Sequence, residues 1–106
     1  MKINSKISIK TFGEVYEPAD DSYMLIEAIE VNEGEKALDM GCGTGIVAIH
    51  LANAGCNVTA ADIKEKALEN TRENAERNGV KIRIVKSDLF SNIDGKFDII
   101  VFNPPY

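Results

Sequence analysis

Leu38-Asp39-Met40-Gly41-Cys42-Gly43-Thr44-Gly45 is the stretch that decides the fold of this chain. It joins a short apolar run, residues 36–40, to a helical pattern over 44–54. Glycines at a strand-to-helix turn supply left-handed dihedrals and let a ligand approach the backbone closely. The N–H groups that open such a helix favour negative or carbonyl oxygen. The dinucleotide fingerprint Gly-x-Gly-x-x-Gly fails here, because its last position is Ile46. The pattern is Asp39-x-Gly41-x-Gly43-x-Gly45 instead. Taken alone, the loop is a weak signal, and a plain tight turn is its alternative.

Outward from the loop, strand and helix alternate. A second strand over 57–61 ends in Asp62, about 20 residues beyond the first glycine, where a carboxylate can accept both hydroxyls of a ribose. Ile63 comes next, placed to cover one face of an adenine. A third strand over 81–85 alternates as an edge strand does and leads into Ser87-Asp88-Leu89. There Asp88 can accept from an exocyclic amine, with Leu89 beside the ring. For either Asp in isolation the simpler role is a helix cap or a loop carboxylate. Acidic residues at the ends of successive strands weigh against it, because ligands of open parallel sheets bind at the carboxyl ends of strands near the switch point. Residues 65–78 form the clearest helix, with Leu68, Thr71 and Ala75 inward, a charged outer face and Gly79 as its stop. Asp20 or Asp21 caps a helix to about Val31, with Leu25, Ala28 and Ile29 inward, and the alternation of residues 5–10 suggests a half-exposed strand. Parallel strands joined by helices give an α/β fold, a Rossmann-like doubly wound sheet.

The apolar run Phe97-Asp98-Ile99-Ile100-Val101-Phe102 reads as a further strand, ended abruptly by Asn103-Pro104-Pro105-Tyr106. These four residues make a stiff turn with one amide, free carbonyls and one aromatic ring. That set can hold a planar nitrogen-bearing group by two hydrogen bonds and a stacking face. A turn that merely terminates a strand is the alternative.

With these residues in view, the chain resembles the class I S-adenosylmethionine-dependent methyltransferases over essentially its whole length. More narrowly, it is similar to the HemK-like group that methylates a glutamine side-chain amide in release factors. Asn103-Pro104-Pro105-Tyr106 is shared with enzymes that methylate amino groups of nucleic acids. Val15-Tyr16-Glu17-Pro18-Ala19-Asp20-Asp21-Ser22 resembles the archaeal and eukaryotic release-factor branch, whose usual form has Glu and Thr where this chain has Asp20 and Ser22. A proline opening a capped helix accounts for the same segment.

The resemblance implies S-adenosylmethionine as cofactor. It implies a cofactor site of Ser22, Asp39, Gly41, Gly43, Gly45, Asp62, Ile63, Asp88, Leu89 and Asn103. It also implies an acceptor site of Asn103, Pro104, Pro105 and Tyr106, with Asn103, Pro104 and Tyr106 carrying the reaction. The substrate it implies is a release factor, with nucleic acid (adenine N6) or a non-catalytic cofactor-binding half-domain as alternatives. A small zinc-binding activator subunit is implied at a sheet edge, with strand 81–85 a candidate for the contact.

Composition bounds the rest. At 106 residues the chain is one domain, read as the first part of the full fold and stopping after the fourth core strand. Strand 97–102 is then an apolar edge that invites pairing, as a homodimer or with a complementing partner. The net charge of −5 argues mildly against a nucleic-acid substrate. No apolar block resembles a signal peptide or a membrane span, so the expected location is the cytoplasm. Two cysteines and one histidine, His50, make no metal pattern. Cys42 and Cys56 read as reduced thiols, and His50 as structural or exposed.

Overall fold

The computed structural model describes residues 1–13, 15 and 20–102. The terminal motif 103–106, and residues 16–19 of the motif over 15–22, lie outside the described residues. Among the described residues the elements in chain order are α1 (Asp20–Ala28), β1 (Lys36–Met40), α2 (Ile46–Asn53), β2 (Asn57–Asp62), α3 (Glu65–Arg77), β3 (Arg83–Lys86) and β4 (Ile99–Phe102). The strands form one parallel sheet in the order β3-β2-β1-β4. The chain runs outward from β1 to β3 and then returns to the other side of β1. The switch point expected of an open α/β sheet therefore lies between β1 and β4. The edge character expected of strands 81–85 and 97–102 is seen, with β3 and β4 at the two edges.

Register assigns the sheet faces. Ala37 pairs with Val58 and Ile99, and Asp39 with Ala60 and Val101, so these residues share one face. That face packs with Ile26 of α1, Ile29 just beyond it, Ile46, Val47, Ala48 and Leu51 of α2, and Leu68 of α3 in the main core. α2 is buried all round from Ile46 to Leu51, apolar there except for His50, because it sits between the sheet and its neighbouring helices. On the opposite face Leu38, Met40 and Ala61 are covered by Ile93 and Phe97 from the connection between β3 and β4. Ile100 and Phe102 share that face and remain 50% exposed each.

Two expectations are corrected. Residues 5–10 form no strand. They lack a sheet partner among the described residues, and the backbone of this segment bonds to side chains of α3 and its C-cap Asn78 instead. Within α1 the buried residues are Ser22 and Ile26; of the positions expected inward, Ile29 is buried just beyond the helix and Leu25 is half-buried, while Ala28 is exposed at the helix end. That helix stops at Ala28, three residues short of the expected Val31, as the Ile29 N–H closes the last turn on Leu25 and Ile26 carbonyls.

Candidate functional site

Gly41, Gly43 and Gly45 all adopt positive φ, at 77°, 54° and 88°. The Gly41 and Cys42 N–H groups both donate to the Ala61 carbonyl at the end of β2, at 2.8 and 3.0 Å, which bends the chain sharply off β1. Gly45 then caps α2. A Cβ on Gly45 would sit against Thr71 of α3, whereas one on Gly43 would meet nothing within 4 Å. The loop is therefore tight against α3 at Gly45 and open at Gly43.

α3 holds the loop by its carbonyls. Thr71 Oγ1 donates to the Gly43 carbonyl at 3.0 Å, and Asn74 Nδ2 donates to the Thr44 carbonyl at 2.8 Å. Cys42 Sγ lies 3.2 Å from the same Thr71 hydroxyl. Burial pushes the Cys42 thiol far up, helped by the nearby Asp39 carboxylate. Cys42 and Cys56 are both free and buried, as expected of reduced thiols.

Asp62 bridges the loop and the approach to α3. Its Oδ2 accepts from Gly43 N–H at 3.2 Å and its Oδ1 from Lys64 N–H at 3.0 Å, with the carboxylate part-exposed. Asp39 is different. It is 2% exposed, and its Oδ2 has no hydrogen-bond partner among the described residues. Burial pushes its carboxyl up to about 7; the Ala48 backbone N–H opposes that and the Asp62 charge adds to it. A buried, half-satisfied carboxylate is costly unless a donor or cation meets it.

The third strand end adjoins the second. Asp62 pairs with Lys86 in register, and the Ser87 N–H donates to the Asp62 carbonyl at 3.1 Å. Ser87 is buried and organises the turn after β3: it bonds the Leu89 carbonyl and accepts from Asn92 N–H. This turn holds Leu89 at φ 51°, a strained value for a branched side chain. Asp88 is exposed, and Ile63 and Leu89 are 55% and 53% exposed at adjacent strand ends. Large apolar side chains held out at neighbouring strand ends suit a flat ring between them. Ser22 is buried on α1. Asn103, Pro104, Pro105 and Tyr106 lie outside the described residues, but β4 ends at Phe102, which pairs with Met40 directly before Gly41.

Sequence reasoning missed Thr71 and Asn74 as loop-holding residues, and it left the role of His50 open. His50 is buried; its Nδ1 lies 2.8 Å from the Ile46 carbonyl and its Nε2 accepts from Asn4 N–H at 3.1 Å. This fixes the Nδ1–H tautomer and ties residue 4 to α2. Among the described residues no three His, Cys, Asp or Glu gather as a metal site, and no helix is long and apolar enough to cross a membrane.

Residues 16–106 match the methyltransferase small domain family. The chain belongs to that family. One relative, from Methanocaldococcus jannaschii and provisionally named a protein N5-glutamine methyltransferase, is 43% identical over 94% of this chain and 51% of its own length. A release factor glutamine methyltransferase of Streptococcus pneumoniae is 41% identical over 92% of this chain and 37% of its own. Other relatives are named for ribosomal RNA and ribosomal protein L11. A methyltransferase from Pyrococcus furiosus superposes with TM-score 0.82 at 29% identity, over 96% of this chain and 54% of that one. The 16S ribosomal RNA N2 G1207 methyltransferase of Thermus thermophilus, solved with AdoMet and guanosine, gives 0.80 at 28%, over 85% of this chain and 26% of that one. The chain thus spans about half the length of the M. jannaschii relative, and less of the others.

The fold is that of the S-adenosylmethionine-dependent methyltransferases, and the described residues fit the cofactor. The open space at Gly43, the unpartnered Asp39 Oδ2 and the outward Ile63 and Leu89 offer places for close approach, for positive charge and for a flat ring.

Proposed function

We propose that the intact site transfers a methyl group to a planar amide nitrogen, the glutamine side chain of a translation release factor. Bound S-adenosylmethionine supplies the electrophilic methyl. Asp62 holds the ribose hydroxyls, Ile63 and Leu89 cover the adenine and Asp88 accepts from its amine. Asp39 and Ser22 lie toward the methionine end, and Gly41, Gly43 and Gly45 shape the loop. An amide nitrogen is a poor nucleophile because its lone pair is delocalised. The Asn103 side-chain oxygen and the Pro104 carbonyl accept its two N–H bonds, Pro105 stiffens the turn, and Tyr106 stacks on the plane. Catalysis by this chain's residues is then mostly positioning, which in well-oriented systems supplies roughly 7–11 kcal/mol.

One observation carries the proposal. Phe102, the residue before Asn103, is the register partner of Met40, the residue before Gly41. Acceptor motif and cofactor loop thus leave adjacent strands at the switch point. Two relatives named for glutamine methyl transfer and the acidic net charge favour a protein acceptor. That substrate puts the activity in the cytoplasm.

Two further readings have specific support. The Asn103 motif suits an exocyclic amine of a nucleic acid, and one relative is named for ribosomal RNA. The open loop at Gly43 and the buried Asp39 beside it serve equally in a non-catalytic cofactor-binding half-domain that needs a partner. In either case residues 1–106 act as the cofactor-binding part of the domain. The open edge at β3 is offered for a zinc-binding activator, and the edge at β4 for a second copy of this chain. Methyl transfer from labelled S-adenosylmethionine decides between these readings. Label on the release factor and none on an oligonucleotide is the expected result; the reverse pattern overturns the protein acceptor, and cofactor binding without turnover supports the half-domain.

A further inference from the structure

Three asparagines at four-residue intervals on α3 and its cap take the place of a strand beside the N-terminal segment. Asn78 accepts from Ser8 N–H at 2.8 Å and donates to the Ser8 carbonyl at 2.7 Å. Asn74 does the same for Lys10, at 2.9 Å in both directions. Asn70 accepts from Phe12 N–H at 3.2 Å and donates to the Lys10 carbonyl at 2.6 Å. The repeat fits because four helical residues advance ~6.0 Å and two extended residues ~6.6 Å. Residues 8–12 therefore have strand-like hydrogen bonding without a strand partner, with Ile9 turned to the core. This is the origin of the alternation that suggests a strand.

Asn74 has a second amide hydrogen, and it goes to the Thr44 carbonyl of the glycine loop. The side chain is fully buried, so no water substitutes for either partner. One amide thus holds the N-terminal segment and the loop together. In a trans peptide the carbonyl and the following N–H point in opposite directions. With the Gly43 carbonyl turned to Thr71, the Thr44 N–H faces away from α3, on the side left open for a ligand.

We infer that residues 8–12 form a strap on the cofactor loop. Attachment of the strap and occupancy of the loop stabilise each other through Asn74, a positioning residue. This rests on the loop being the S-adenosylmethionine site. When the strap lifts, Asn74 loses the two Lys10 bonds that fix its plane, and the Thr44 carbonyl loses a rigid donor. A ligand that needs the loop in one geometry disfavours that state, and linkage makes the effect reciprocal.

Amide hydrogen exchange at Ser8, Lys10 and Phe12, with and without saturating S-adenosylhomocysteine, tests this on the full chain. Local lifting of the strap, unlike global unfolding, is insensitive to the ligand unless the two are coupled. The expected result is exchange slowed roughly fivefold or more. The double variant Asn70→Ala/Asn78→Ala frees both ends of the strap while leaving Thr71, Asn74 and the loop unaltered. Calorimetric titration of it with S-adenosylhomocysteine should show affinity reduced by a similar factor. Ligand-independent exchange in a wild-type chain that binds overturns the coupling alone. No binding by the wild-type chain overturns the cofactor reading and the coupling with it. Should the variant not fold, the wild-type exchange still decides.

Discussion

Thr71 and Gly45 meet so closely that a Cβ on Gly45 would lie 2.9 Å from the Thr71 methyl and 3.2 Å from its Cα. A helix two elements away therefore sets the residue allowed at the last glycine of the loop. Gly45 also needs φ 88°, which an L side chain adopts only with strain.

Gly45→Ala is accordingly expected to cost about 2 kcal/mol or more of stability, from the left-handed backbone alone about 1–2. Denaturant unfolding of the variant checks this. Thr71→Ser in the same background, which keeps the hydroxyl on the Gly43 carbonyl, should recover part of the loss by removing the methyl.

Asp39 shapes the pH dependence of folding. Its carboxyl stands at about 7 in the native chain against about 3.9 unfolded. The native state thus holds a proton that the unfolded state has released between those values. Its contribution is full below about pH 4 and is lost as pH rises through about 7, a few kcal/mol in all. Asp39→Asn should flatten this limb, so urea midpoints at pH 5 and pH 8 should differ less than in the parent chain.

Asp62→Ala removes the acceptor of the Gly43 N–H and the carboxylate proposed for the ribose. Hydrogen bonds to charged groups are worth about 1.5–3 kcal/mol. Titration with S-adenosylhomocysteine should show affinity at least ~10-fold lower. Unchanged affinity would remove Asp62 from the cofactor site.

Asn103→Ala is expected to abolish methyl transfer while cofactor affinity stays within a few-fold. Turnover at the parental rate would mean that the acceptor amide is held by other groups.

β4 leaves Ile100 and Phe102 half exposed at an open sheet edge. Such edges pair readily. Sedimentation at high micromolar concentration should show this chain self-associating, and Phe102→Lys should return it to monomer. A clean monomer in the parent chain would count against an interface there.

The fold is legible in the sequence because its signals are periodic. Short strands of four to six residues, with β1 running into Gly41 and β2 ending in Asp62, and a helix with Leu68, Thr71 and Ala75 inward, leave few topologies open. The glycine loop and Asp62 are legible as chemistry, since few other residue types give those dihedrals and that charge at a strand end. Asn70, Asn74 and Asn78 are not. On a helix otherwise full of Glu, Lys and Arg they pass for the solvated face, and only their four-residue spacing hints at a shared partner. Residues 5–10 mislead for the complementary reason: alternation reports one buried side of an extended chain, not what bonds its backbone. The burial of His50 leaves no trace, because one histidine on an apolar helix has no period.

The bonds between residues 8–12 and the asparagines span 58 to 70 positions of the chain. Contacts that distant in sequence form late, after the intervening loop closure has been met. On the ribosome residues 8–12 emerge before α3 exists. They must wait, extended and unpartnered, until residue 78 is clear of the exit tunnel. The strap is thus made well ahead of the helix that holds it, and it is among the last segments to find its place.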